Sequence, residues 1–169
     1  MDLKCISYNN IINLFDSEWD FSYLYYEEME EVLNFPIKMA PNHLERLVEW
    51  NNDIPKDAIF LIIVKHTEDY DYSLNHAFET KCRDNLPIEL TNFWCNYKYA
   101  AVKAGMGQYA KNSLFFHNKF HFETHLSVFI IFNKIIDLPV RNASNFSLLA
   151  QCNNCNDCYN ACPVKAIHN

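Results

Sequence analysis

Glycine is nearly absent from this chain. Its 169 residues hold two, Gly105 and Gly107, inside one tripeptide. Where glycine has been stripped from everywhere else, two survivors mark backbone positions that only glycine takes. Basic residues are scarce too: 14 lysines and arginines face 21 acidic residues, a net charge of −7 at a pI of about 5.4. Broad nucleic-acid binding needs a basic face, so no nucleic-acid partner is expected of this chain alone. No apolar run approaches the roughly 18 residues of a membrane span, and no basic-plus-apolar leader is seen. The expectation is a cytoplasmic protein with no membrane partner. Asn142-Ala-Ser144 and Asn145-Phe-Ser147 match glycosylation acceptors, which carry no meaning without a secretory signal.

What is present is a core. Hydrophobic residues make up 50% and aromatics 15%, ample for one domain of this length. Ala58-Ile-Phe-Leu-Ile-Ile-Val64 is a continuous, β-branched apolar run and reads as a buried central strand. Ser113–Phe116 and Leu126–Phe132 read as further strands. Residues 8–34 read as an irregular lead-in followed by a helix, and Glu27–Glu31 as a solvated acidic face. Further helices are expected to open at Pro41, to run from Leu74 to Cys82, and to run from Leu90 to Lys103, ending at Gly105-Met-Gly107. The fold class is α/β (α+β), a central sheet flanked by helices. An α/β domain is expected over 1–140 and a cysteine-bearing segment over 141–169.

That segment contains Cys152-Asn-Asn-Cys155-Asn-Asp-Cys158-Tyr-Asn-Ala-Cys162-Pro163. The spacing C-x2-C-x2-C-x3-C-P is the bacterial ferredoxin run that holds a [4Fe–4S] cluster. Thiolates are soft, strongly donating iron ligands, and two-residue gaps let one tight loop wrap three corners of a cubane. Structural zinc more often uses two C-x2-C pairs set well apart. Four cysteines packed this closely belong to metal chemistry in a reducing compartment rather than to disulfides. In two-cluster ferredoxins the fourth cysteine serves the other cluster, and no second run follows here. A cluster closed by Cys162, one closed by a remote cysteine such as Cys95, and a shortened chain all remain open.

Gly105-Met-Gly107-Gln-Tyr-Ala110 matches the dinucleotide pattern G-x-G-x-x-A. That motif needs a strand before it and a helix after it, and the order here is the reverse. The block Lys98-Tyr-Ala-Ala-Val-Lys-Ala-Gly-Met-Gly-Gln-Tyr-Ala-Lys-Asn-Ser-Leu-Phe115, followed by the cysteine run, resembles the paired signature of the epoxyqueuosine reductase-like iron–sulfur proteins, relatives of corrinoid-dependent reductive dehalogenases. The resemblance spans roughly residues 55–168. It implies an α/β domain that cradles cobalamin, a [4Fe–4S] cluster that feeds it electrons, and an electron-donor protein such as a ferredoxin or flavodoxin as partner. Carried over by position, it puts Ala104, Gly105, Gly107, Lys111 and Asn112 on the corrinoid side, and Cys152, Cys155, Cys158 and Cys162 on the cluster. Epoxide-reducing members carry an aspartate acid before the long helix. Here Thr91 aligns with it, and Glu89 is the nearest carboxylate. A ferredoxin-like carrier without an active site of its own, and a degenerate paralogue, are the alternatives.

His117, His121 and His125 recur every fourth residue, a spacing that would set them on one side of a strand. His43, His66, His76 and His168 carry no pattern. Cys5, Cys82 and Cys95 read as small buried hydrophobes, with Cys95 on the long helix, and Trp50 and Trp94 as core.

Overall fold

The computed structural model describes residues 5–34, 54–67, 73–141 and 148–164. The helix expected to open at Pro41, His43, Trp50, His168 and both Asn-x-Ser sequences lie outside those residues.

In chain order the described elements are β1 (Ile6–Ser7), α1 (Tyr8–Ile12), β2 (Trp19–Leu24), α2 (Tyr26–Asn34), β3 (Ile59–His66), α3 (Leu74–Asn85), β4 (Leu90–Asn92), α4 (Tyr97–Lys103), β5 (Gly107–Tyr109), β6 (Phe115–His117), β7 (Thr124–Ile131), β8 (Ile135–Ile136) and α5 (Asp157–Ala161). Four strands form one antiparallel sheet in the order β2-β3-β7-β4. β1 and β8 pair in parallel, and β5 and β6 form a hairpin.

The sheet is buried on both faces, which is why β3 reads as an unbroken apolar run. Along β3, Phe60, Ile62 and Val64 pack with Met29 and Val32 of α2 and with Ala100, Ala101 and Val102 of α4. The alternate residues Leu61 and Ile63 pack with Tyr8 and Ile11 of α1 and with Phe78 and Cys82 of α3. The result is a helix–sheet–helix sandwich, a mixed α/β architecture as the apolar patterning implies. On the α3 side, Phe78 meets Phe15, Trp19, Phe21 and Phe129 at ring-centroid distances of 4.8–6.3 Å. Ion pairs Lys65–Glu18 and Lys103–Glu31 tie β3 to the start of β2 and α4 to α2. None of the described helices is long and apolar enough to cross a membrane.

Several local expectations are corrected. The lead-in at 8–34 contains β2, whose Trp19-Asp-Phe-Ser-Tyr-Leu24 alternates strictly between the two faces. The expected helix Leu90–Lys103 is split. Its first residues pair with β7, Leu90 opposite Ile131, and the helix starts only at Tyr97. The open edge of β7 offers a ladder of backbone bonds, and Leu90 enters the core, so tertiary contact overrides helix propensity. Asn96 then caps α4, accepting a bond from Tyr99 N at 3.1 Å. Cys95 therefore precedes the helix. Trp94 is 67% exposed rather than core, and Cys5 is exposed.

Candidate metal centre

The two glycines terminate α4 and open the hairpin. Gly105 has φ 78°, the left-handed region in which a side chain is strained. Gly105 N donates to Val102 O at 2.9 Å and Met106 N to Ala101 O at 3.0 Å, the paired bonds of a Schellman cap. Gly107 is needed for a different reason. A Cβ there would lie 2.2 Å from Phe116 O and 2.8 Å from the Phe115 ring. Across the hairpin Gly107 pairs with His117 and Tyr109 with Phe115. The tip is closed by Ala110 N to Leu114 O at 2.9 Å and by Leu114 N to Asn112 Oδ1 at 3.1 Å, with Ser113 at φ 62°. Lys111 and Asn112 thus sit at the tip, half-buried.

Polar side chains fasten this unit to the body. Ser22 Oγ donates to Ala104 O at 2.9 Å, and Asn118 Nδ2 to Gly105 O at 3.1 Å. His117 is fully buried. Its Nδ1 accepts from Lys119 N at 3.2 Å and from Phe120 N at 3.0 Å. The proton of the neutral ring is then on Nε2, which stands 3.0 Å from Asp20 Oδ2. Lys98 Nζ donates to Ser113 O at 2.9 Å, and Tyr109 OH to Asn96 Oδ1 at 3.4 Å. Burial pushes the Tyr109 phenol up to about 12, against a smaller lowering by the Asn96 bond. These supports include four residues that sequence reading did not single out: Asp20, Ser22, Asn96 and Asn118. Asp20 and Ser22 were findable, because they interrupt the inward face of an alternating strand and so require partners.

The cysteine run docks on the hairpin. Leu148 bridges to Tyr109 in parallel, and Leu149 N donates to Tyr109 O at 2.7 Å. Ala150–Cys152 form a 3₁₀ turn. Cys155 N donates to Cys152 O at 3.3 Å, and Cys162 N, after α5, to Tyr159 O at 3.4 Å. Lys111 Nζ reaches across from the hairpin tip to Asn153 O at 3.5 Å and to Cys155 O at 3.4 Å. Cys152, Cys155, Cys158 and Cys162 are half-buried thiols, none of them in a disulfide. Among the described residues, no group of three or more His, Cys, Asp or Glu side chains is drawn together closely enough to hold a metal ion. The glycine unit and the cysteine run, some forty positions apart in the chain, are nonetheless in contact.

Other candidates lie apart. Glu89 is exposed ahead of β4, the edge strand opposite β2. Its backbone N donates to Asn133 Oδ1 at 2.6 Å. The three histidines do not share a strand face. His117 ends β6, His121 stands exposed in the following turn at φ 59°, and His125 is buried in β7 beside Asn75. Their spacing straddles a turn, so the period-two argument does not apply. Cys82 and Cys95 are core residues, as expected. Burial raises the Cys82 thiol to about 12 and pushes the Cys95 thiol well above its ordinary range.

No protein-family model, curated protein or solved structure matches the chain.

Proposed function

We propose that this chain is an iron–sulfur redox protein, in which Cys152, Cys155, Cys158 and Cys162 hold one [4Fe–4S] cluster beside the glycine hairpin. The observation that carries the reading is the docking itself: Tyr109 and Lys111 of the hairpin bind the backbone of the cysteine run at Leu149, Asn153 and Cys155. The donor set fits. Four soft thiols share one short run whose backbone already turns after Cys152 and again before Cys162. A preformed site rarely exists in an unfolded chain, so metal binding is coupled to the ordering of the segment that carries the ligands. Cys162 is the favoured fourth ligand, because Cys95 lies in the apolar core, where forming a thiolate is costly. When bound, such a cluster supplies one-electron transfer. The chain's part is to hold it and to keep its donors ordered.

The corrinoid implied by the resemblance fits less well. The space beside Gly107 is filled by Phe115 and Phe116, Ala104 is buried, and the Gly105 carbonyl accepts from Asn118. Ala104, Gly105, Gly107, Lys111 and Asn112 each have an internal partner. The reading is therefore an electron-transfer protein of epoxyqueuosine reductase-like motif order, with an electron-donor protein as partner.

The test is iron, acid-labile sulfide, zinc and cobalt per chain after anaerobic purification, with visible spectra before and after dithionite. About four irons and four sulfides are expected, as one cubane demands, with an absorbance band that bleaches. Zinc, or no metal, sinks the proposal. A cobalamin titration separates the reductase, which binds it, from the carrier, which does not.

A further inference from the structure

Resting on the iron–sulfur reading, we infer that Lys111 is the positioning residue of the cluster loop and sets its reduction potential. Resemblance alone puts this lysine on the corrinoid side. From the hairpin tip its Nζ donates to Asn153 O and Cys155 O, at 3.5 and 3.4 Å. Those two carbonyls belong to the C-x2-C loop that starts the ligand run. The ammonium is therefore held against the backbone of the loop that joins the first two cysteines.

The tip is braced so that the reach is not accidental. Asn112 closes the turn through Leu114 N, and Lys98 holds Ser113 O from the helix side. The peptide bond is planar and trans, so each carbonyl points opposite the N–H that follows it. With the Asn153 and Cys155 carbonyls turned to Lys111, the N–H groups of Asn154 and Asn156 point to the far side of the loop, where they can serve as donors. One lysine thus does two things. It selects which side of the loop presents N–H groups, and it adds a fixed positive charge that favours the more negative, reduced state of whatever the thiolates hold.

Three full-length proteins test this, all purified anaerobically: wild type, Lys111→Met and Lys111→Arg. Iron and sulfide in the wild type test the underlying reading. Redox titration and amide hydrogen exchange over residues 149–156 test the lysine. In Lys111→Met, exchange over that stretch should quicken about tenfold. At fixed ambient potential, the ratio of reduced to oxidised cluster should fall about tenfold, which for a one-electron couple is about 59 mV. Lys111→Arg should restore both, since it keeps the charge and the donors. Loss of the cluster in the Met variant but not the Arg variant supports the same role. An iron-loaded Met variant with unchanged potential and exchange overturns the inference, as does cluster loss in both variants. A wild type without iron overturns the reading, and the inference with it.

Discussion

β3 and the β5–β6 hairpin share one neighbour, α4, but are held in place by different physics. β3 is fastened by apolar area on both faces, with every side chain from Ile59 to Val64 at 7% exposure or less. The hairpin unit sends Met106, Tyr109 and Phe115 into the core, while Phe116 packs on His121 and Phe122 outside it. Its position depends on individual hydrogen bonds donated by Ser22, Lys98 and Asn118, on the bond Tyr109 OH donates to Asn96, and on the His117–Asp20 contact. Burial is non-directional and tolerant of small shifts. Hydrogen bonds are directional and fail over a fraction of an ångström. The first suits a scaffold. The second suits a unit that presents one lysine and one backbone edge to the cysteine run.

The largest loss of stability is expected on the sheet side. Phe129 is fully buried, its ring 4.8 Å from that of Phe78. Phe129→Ala should cost about 3–5 kcal/mol, the usual range for such a cavity. Urea denaturation would show this, with iron per folded chain unchanged. Gly107→Ala attacks the other region. A methyl group 2.2 Å from Phe116 O forces the strands apart at a cost of about 1–3 kcal/mol. Hydrogen exchange should accelerate at Tyr109, His117 and Leu149 and change little in β3. Equal acceleration in both regions would show that the hairpin is not a separate unit.

The smallest effect is alkaline. Tyr109 is held at about 12 in the fold, chiefly by burial, against about 10 in an unfolded chain. Its contribution is whole below pH 10 and is lost as pH rises from there through about 12. The hairpin should loosen across that window, and Tyr109→Phe should remove the Tyr109 part of the slope, as read by exchange at Leu149. Cys82, raised to about 12 in the opposite layer, gives a parallel loss that leaves Leu149 unaffected.

The same division governs what is legible in the sequence. β3 and β7 announce themselves as continuous apolar runs, because burial on both faces leaves no polar alternation. The end of α4 at Gly105 was equally plain. β4 was misread as helix because Leu90–Asn92 owes its conformation to β7, a partner some forty residues away. The four cysteines were legible by spacing alone. Their docking on Lys111 was not, since a hydrogen bond from an ammonium to a backbone carbonyl leaves no mark on the residue that supplies the carbonyl. Trp94 misled for the opposite reason: composition predicts burial for tryptophan on average, and this one lies outside.

The sheet order also has a consequence for biosynthesis. β3 cannot be covered on both edges until β7 exists, because its partners are residues 19–24 on one side and 124–131 on the other. A chain made from its N-terminus therefore carries Ile59-Phe-Leu-Ile-Ile-Val64 with one edge open while the next sixty or so residues are translated. Six β-prone apolar residues without charge or proline have the composition that self-associates. Lys65, immediately after the run, supplies the charge that guards it, and the late pairing with β7 sets the pace at which that exposure ends.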